Sequence, residues 1–153
     1  MSATTTPVST AAVLGSPSEF LIPRESDRDL AFQGWRLSQV KDCQKPQSPG
    51  DVSRCTQVSI YLTAGKAIVT HVRRWDDHDK EAPENEEHAV DVHSPMDRDR
   101  DGYLLGLDGA VDAAIKWLKK DNGGKLGTLS KQAWVDACRL CPELKGREAQ
   151  RIA

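Results

Sequence analysis

The stretch QVSIYLTAGKAIVTHVRRW, residues 57–75, decides the fold of this chain. In its first half, apolar Val58, Ile60 and Leu62 alternate with more polar neighbours, and the alternation resumes after a glycine-containing turn at 64–66. Alternation with a period of two is typical of a strand that buries one face. Two such runs on either side of a short turn predict a β-hairpin.

Three shorter runs extend the predicted sheet. EFLIPR (19–24), LAFQGWRLSQV (30–40) and AVDVH (89–93) have strand-like apolar patterns. Together with the central hairpin over 57–74, they predict a small antiparallel sheet of four to five strands. Gly34 interrupts the second run, where it favours a bulge or a close approach of another backbone.

Two amphipathic segments at the C-terminal end predict helices over about 109–121 and 130–141. Apolar residues recur in each at the helical spacing, and we expect Asp108 and Ser130 to serve as the N-caps. Since the strands precede the helices instead of alternating with them, the order predicts an α+β fold with the sheet packed by the two helices.

Composition limits the chain to one domain and narrows its function. The 153 residues, of which 38% are hydrophobic and 29% charged, suit a single α+β domain over 19–153 behind a disordered N-terminal tail, residues 1–18. A net charge of −2 gives no basic surface for direct binding of nucleic acid. With no apolar run of 18 residues and no secretory signal, we expect a cytoplasmic protein without a membrane partner.

The four cysteines are expected to be reduced in such a location. Cys43 and Cys55 fall in a predicted loop over 42–55, whereas Cys138 and Cys141 lie on the buried face of the second helix. The four could complete a zinc site, but the wide separation of the first two favours free thiols.

DRDRDGYLLGLD, residues 97–108, has the spacing of a calcium-binding loop, with acids at positions one, three, five and twelve and glycine at six. The stretch resembles the EF-hand loop, and more closely its dockerin-type variant, in which an aspartate at position twelve precedes a helix. The resemblance implies that Ca²⁺ would be the cofactor and would be held by five ligands: Asp97, Asp99, Asp101, the carbonyl of Tyr103, and Asp108.

A second interpretation of this loop requires no metal. Leu105 stands at position nine, where a polar side chain would hold a water, and Arg98 and Arg100 can screen the neighbouring aspartates. Asp108 would then cap the helix that follows, and we favour this interpretation.

The most acidic part of the chain is DDHDKEAPENEEH, residues 76–88, which we expect to form a solvated loop. Its side chains, together with a tryptophan of the first predicted helix, are the candidate partner-binding residues: Asp76, Asp77, Asp79, Glu81, Glu84, Glu86, Glu87 and Trp117. For Trp117 the alternative, which we favour, is that it widens the buried face of its helix.

No nucleophile elbow, P-loop or dinucleotide-binding glycine pattern occurs in the sequence. We therefore expect a non-enzymatic regulatory protein that binds another protein through an acidic surface, so that it would block a basic, nucleic-acid-binding surface of that partner. The alternative is a calcium-binding module that uses residues 97–108. The oligomeric state is not set by the sequence.

Overall fold

The computed structural model describes residues 14–25, 28–44, 52–77 and 82–145. Five strands form one antiparallel sheet in sequential order, and two helices follow, which confirms the α+β prediction. The elements are β1 (Ser18–Ile22), β2 (Leu30–Gln44), β3 (Ser53–Thr63), β4 (Ile68–Asp77), β5 (Glu84–His93), α1 (Gly106–Asp121), α2 (Thr128–Leu140) and a short 3-10 helix (Pro142–Lys145).

The predicted central hairpin is formed by β3 and β4, which pair from Ser53 opposite Asp77 to Leu62 opposite Ile68. Its alternating apolar side chains point toward the helices, as the period of two requires. Lys66 closes the turn with a φ of 72°, a left-handed conformation that tight hairpin turns demand.

The sheet is curled, and both of its faces bury apolar side chains. The main core lies between the sheet and the two helices, and its largest fully buried members are Ile60, Leu62, Ile68 and Leu118. On the opposite face, Tyr61 packs with aromatic rings of β1 and β2 in a second, smaller cluster. On that face the strands' own aromatic and aliphatic side chains pack against one another.

Gly34 permits the close approach of β2 to β3 that the sequence predicted. A Cβ atom at this position would lie 2.1 Å from the carbonyl oxygen of Leu62, well inside van der Waals contact. The strand register does shift, but between Arg36 and Ser38 and not at the glycine.

The two predicted helices are confirmed, but both predicted N-caps are wrong. Helix α1 already begins at Gly106, so Asp108 lies within its first turn, where a carboxylate favours the positive end of the helix dipole. Helix α2 begins at Thr128 after Gly127, and Ser130 is a buried residue inside it. The apolar periodicity of a helix does not show where the preceding loop ends, so it could not give the first residue of either helix.

The ordered domain begins before the predicted boundary of the tail. Leu14 packs against the main core, and the carbonyl of Gly15 accepts a hydrogen bond of 3.0 Å from the indole nitrogen of Trp35. Ser18 is the first residue of β1, and residues 1–13 of the predicted tail lie outside the described residues.

The loop predicted over 42–55 is much shorter, because β2 continues to Gln44 and β3 starts at Ser53. Cys43 and Cys55 are direct partners across these strands and form a disulfide. The expectation that both are reduced is therefore wrong.

Strands also extend into the acidic segment that was predicted to be a loop. Asp76 and Asp77 end β4, and the segment from Glu84 to His88 belongs to β5. The backbones of these residues extend the pairing between β4 and β5, while most of their side chains remain exposed. Two of the candidate residues, Asp79 and Glu81, lie outside the described residues.

Candidate functional site

The strongest concentration of charge follows the outer strand of the sheet and the loop after it. We call this surface the acidic edge, and its members are Glu84, Glu86, Glu87, Asp91, Asp97, Asp99 and Asp101. All seven residues are exposed. With Arg98 and Arg100, these carboxylates give residues 84–101 a formal charge of −5, compared with −2 for the whole chain.

Salt bridges hold part of this acidic region in place. Arg73 binds Glu86 at 2.6 Å, and Arg54 binds Asp76 at 2.7 Å. Among the described residues, no lysine or arginine forms a salt bridge with Glu87 or Asp91. The acidic edge therefore keeps negative charge that the chain does not neutralise itself.

A chain of hydrogen bonds on the sheet face opposite the helices holds the side chain of Glu86. Nε2 of His71 lies 2.8 Å from Nδ1 of His88, whose Nε2 lies 2.8 Å from Oε1 of Glu86. Nε2 of His88 faces a carboxylate, which only accepts hydrogen bonds, so this nitrogen is the donor to Glu86. This chain fixes the orientation of the carboxylate within the acidic edge.

The charges of these groups follow from their surroundings. Burial, with His88 and Arg73 nearby, lowers the pKa of His71 to about 4. Partial burial alone would raise the pKa of Glu86, but hydrogen bonds from Arg73 and His88 lower it below its ordinary value. At neutral pH, His71 is therefore neutral and Glu86 ionised. The strand pattern alone suggested a sheet-surface histidine; that expectation is wrong, because His71 is buried beside a partner 17 residues away.

The backbone of β5 is partly protected against pairing with another strand. The outward N–H of His88 donates to a carboxylate oxygen of Glu25 at 2.6 Å, and the N–H of Val92 donates to the side chain of Asp91 at 2.9 Å. Such blocked donors are a common protection of edge strands. The surface therefore offers a partner mainly its side chains.

The loop after β5 uses its potential calcium ligands for its own hydrogen bonds. Oδ1 of Asp99 accepts the N–H groups of Asp101 and Tyr103 at 2.9 and 3.0 Å, while the carbonyl of Tyr103 accepts the N–H of Asp99. Within the described ranges, no three His, Cys, Asp or Glu side chains are grouped to hold a metal. Asp99 and Tyr103 thus hold the loop through internal hydrogen bonds, and both interpretations of the loop stay predictions.

Apolar side chains accompany the carboxylates on the same surface. Tyr103 is 72% exposed and Met96 69% exposed, with Leu104 and Val92 also exposed. Exposed aromatic and apolar side chains beside charges are typical of protein interfaces.

Trp117, the remaining candidate for partner binding, packs inward instead. Its half-buried ring contacts the main core and lies edge-on to His93, with 6.2 Å between the ring centroids. Nε2 of His93 is in turn 2.9 Å from the hydroxyl of Thr70. Trp117 thus widens the buried face of α1, and the tyrosine of the adjoining loop is the more exposed aromatic residue.

The cysteines offer no reactive or zinc-binding group in the described chain. Cys43 and Cys55 are bonded to each other, and Cys138 and Cys141 are buried free thiols. Burial raises the pKa of Cys138 to about 11, which keeps it protonated and unreactive at neutral pH.

A polar cleft of about 370 Å³ lies where the sheet meets the start of α2. Arg54 and Arg74 line it, but each already binds a carboxylate, Asp76 and Asp121 respectively. The cleft is therefore internally neutralised and does not form an anion site.

Comparison of this chain with protein-family models, curated proteins and solved structures finds no match. Among the described residues, no helix is long and apolar enough to cross a membrane.

Proposed function

We propose that this chain is a non-enzymatic regulatory protein that binds a basic surface of another protein through its acidic edge. The observation that carries the proposal is the exposure of all seven carboxylates, from Glu84 to Asp101, along one outer strand and its loop. Because that surface is far more negative than the chain as a whole, it would attract and orient a positively charged partner.

Two further features suit this surface to a folded partner. The strand fixes the spacing of its carboxylates, and Tyr103 and Met96 add apolar area beside them. Charge would accelerate the encounter, while the apolar side chains would contribute to the lifetime of the complex.

The partner class that fits best is a nucleic-acid-binding protein. Such proteins expose lysine and arginine side chains to the phosphate backbone, and an acidic surface can occupy the same groups. The acidic edge would then regulate its partner by competing with nucleic acid.

The disulfide provides information about the cellular compartment in which the protein would bind its partner. Bridges such as that between Cys43 and Cys55 persist mainly in oxidising compartments, which counts against the cytoplasmic location expected from the sequence.

A pull-down with mass spectrometry from the native host tests the proposal. The test variant carries Glu84→Gln, Glu87→Gln and Asp91→Asn, which remove three charges from exposed positions of β5. We expect it to lose the basic, nucleic-acid-binding proteins that the original chain recovers, because the attraction depends on these charges.

The control variant carries Glu19→Gln, Asp29→Asn and Glu143→Gln, which make the same change in net charge at exposed positions elsewhere. It should recover the same proteins as the original chain. Equal recovery by the test variant, or equal loss in both variants, would contradict a specific role of the acidic edge.

A further inference from the structure

A second surface of opposite character lies at the far end of α1. Ile115 and Leu126, both half-buried, form the apolar part of a cleft of about 450 Å³, whose charged lining is two lysines, Lys116 and Lys119, against one carboxylate, Asp112. We call this the lysine cleft. Neither lysine forms an ion pair within the described part of the chain. An occupant should therefore combine apolar and acidic groups.

The chain carries one segment with that chemistry, the loop of residues 96–104. Its Tyr103 ring is exposed, and the carboxylate of Asp101 forms no hydrogen bond or ion pair with a described residue. An antiparallel bridge between Arg98 and Leu104 holds the loop, and the guanidinium of Arg98 donates to the carbonyl of Gly102 at 2.7 Å. Little conformational freedom would be lost on binding, because the loop is already ordered.

The loop cannot fill the lysine cleft of its own chain. It joins the first turn of α1 at Gly106, whereas Ile115 and Lys119 follow nine to thirteen residues later. At the rise of an α-helix, the separation along the axis is roughly 14 to 20 Å. Hydrogen bonds from Leu105 and Gly106 fix the base of the loop to residues 95–97 at the other end of the helix.

We propose that a second copy of this chain supplies the occupant, so that the protein forms a symmetric dimer with its α1 helices antiparallel. Because loop and cleft lie at opposite ends of one helix, an antiparallel pair brings each loop to the partner copy's cleft. Both contacts then form together, which closes the assembly as a two-fold dimer. Tyr103 would contact Ile115 and Leu126, and Asp101 would face Lys119.

This dimer does not depend on the proposed function, since it requires no foreign partner. The two would compete, however, because the loop belongs to the acidic edge. Self-association of the purified chain is therefore measured alone, and its failure would leave the binding of a basic partner intact.

Analytical ultracentrifugation of the full chain with charge-reversed variants tests the dimer. Asp101→Lys and Lys119→Glu each place like charges at both contacts, and we expect each to raise the dissociation constant about tenfold or more. Lys120→Glu is the matched control: it reverses an exposed lysine of the same helix that does not line the cleft, and it should have little effect.

Mixing the two weakened variants gives the sharpest result. In a mixed dimer, Lys at 101 faces Glu at 119 in one contact and the original pair forms in the other, so association should return. Circular dichroism checks that each variant is folded. The proposal would be overturned if the chain stays monomeric up to about 1 mM. It would also be overturned if neither charge reversal weakens the dimer, or if mixing the two variants does not restore association.

Discussion

His71 shows how far the environment of one residue can depart from what its strand position indicates. The residue is only 8% exposed, and its ring is hydrogen-bonded to His88. Burial and two nearby cationic or ionisable groups make the neutral ring the stable form. The residue therefore links folding to pH.

The free energy of unfolding should fall as the solution is acidified from pH 6.5 to 4. The unfolded chain binds a proton at His71 near pH 6.5, whereas the folded chain does so only near pH 4. The contribution is therefore complete above pH 6.5, and roughly 2 to 3 kcal/mol would be lost by pH 4. Denaturant titrations at several pH values measure this slope.

The variant His71→Phe provides the control for this slope. It removes the titrating ring and should reduce the pH dependence without abolishing it, because burial also lowers the pKa of His93. An unchanged slope in the variant would show that His71 does not couple folding to pH.

Asp99 should act as a structural side chain of its loop and not as a calcium ligand. Asp99→Ala removes the acceptor of two backbone N–H groups and should lower the free energy of unfolding by about 0.5 to 1 kcal/mol. Asp101→Ala, whose side chain makes no contact with a described residue, should change it little. Calorimetric titration with calcium should give no heat; binding that both substitutions abolish would reverse this interpretation.

At the scale of elements, the contact between β2 and β3 depends on the missing side chain of Gly34. Gly34→Ala would force a Cβ atom against the carbonyl oxygen of Leu62 and should cost about 2 kcal/mol or more. Gly65→Ala is the matched control, because its nearest atom would be 3.8 Å away. Thermal unfolding of both variants measures the difference; equal stability would contradict the close approach.

The disulfide between β2 and β3 should be visible by counting thiols. The unfolded, unreduced chain should react with two equivalents of thiol reagent, from Cys138 and Cys141, and the reduced chain with four. Reduction should also destabilise the fold by about 2 to 3 kcal/mol, since it opens a loop with a sequence separation of 12. Four reactive thiols before reduction would contradict the bridge.

The elements that the sequence predicted well are those with a regular apolar pattern. The central hairpin and both helices fall near their predicted positions because Ile60, Leu62 and Leu118 repeat at the period of the element. Structure in segments without a regular apolar pattern could not be predicted from periodicity. The extension of β2 and β3 to the Cys43–Cys55 bridge lies in a polar stretch without alternation, so both cysteines were placed in a loop.

The candidate site was predictable in composition but not in arrangement. The acidic residues were evident, yet only the strand pairing places Glu84 and Asp91 on one exposed edge with the 97–101 loop. Trp117 packs inward, as the broad apolar face of its helix indicated, but its contact with His93 could not be predicted because the two residues are distant in sequence.

At the scale of the whole molecule, charge is distributed unevenly around a stable core. Residues 84–101, which contain the acidic edge, carry a formal charge of −5, whereas Lys116, Lys119 and Lys120 are exposed on α1. A chain with a net charge of only −2 thus offers two surfaces of opposite sign. This separation makes both a basic partner and a second copy physically reasonable occupants.

Competition with nucleic acid tests the central claim most directly. A basic partner recovered by pull-down would be bound to labelled nucleic acid, and this protein would be added while fluorescence anisotropy follows release. We predict that the original chain and the Glu19, Asp29 and Glu143 control release the nucleic acid. The variant neutralised at Glu84, Glu87 and Asp91 should not, because its acidic edge has lost three charges. The claim would be contradicted if the original chain binds the partner but leaves the anisotropy of the nucleic acid unchanged. It would also be contradicted if the neutralised variant releases as much nucleic acid as the original chain.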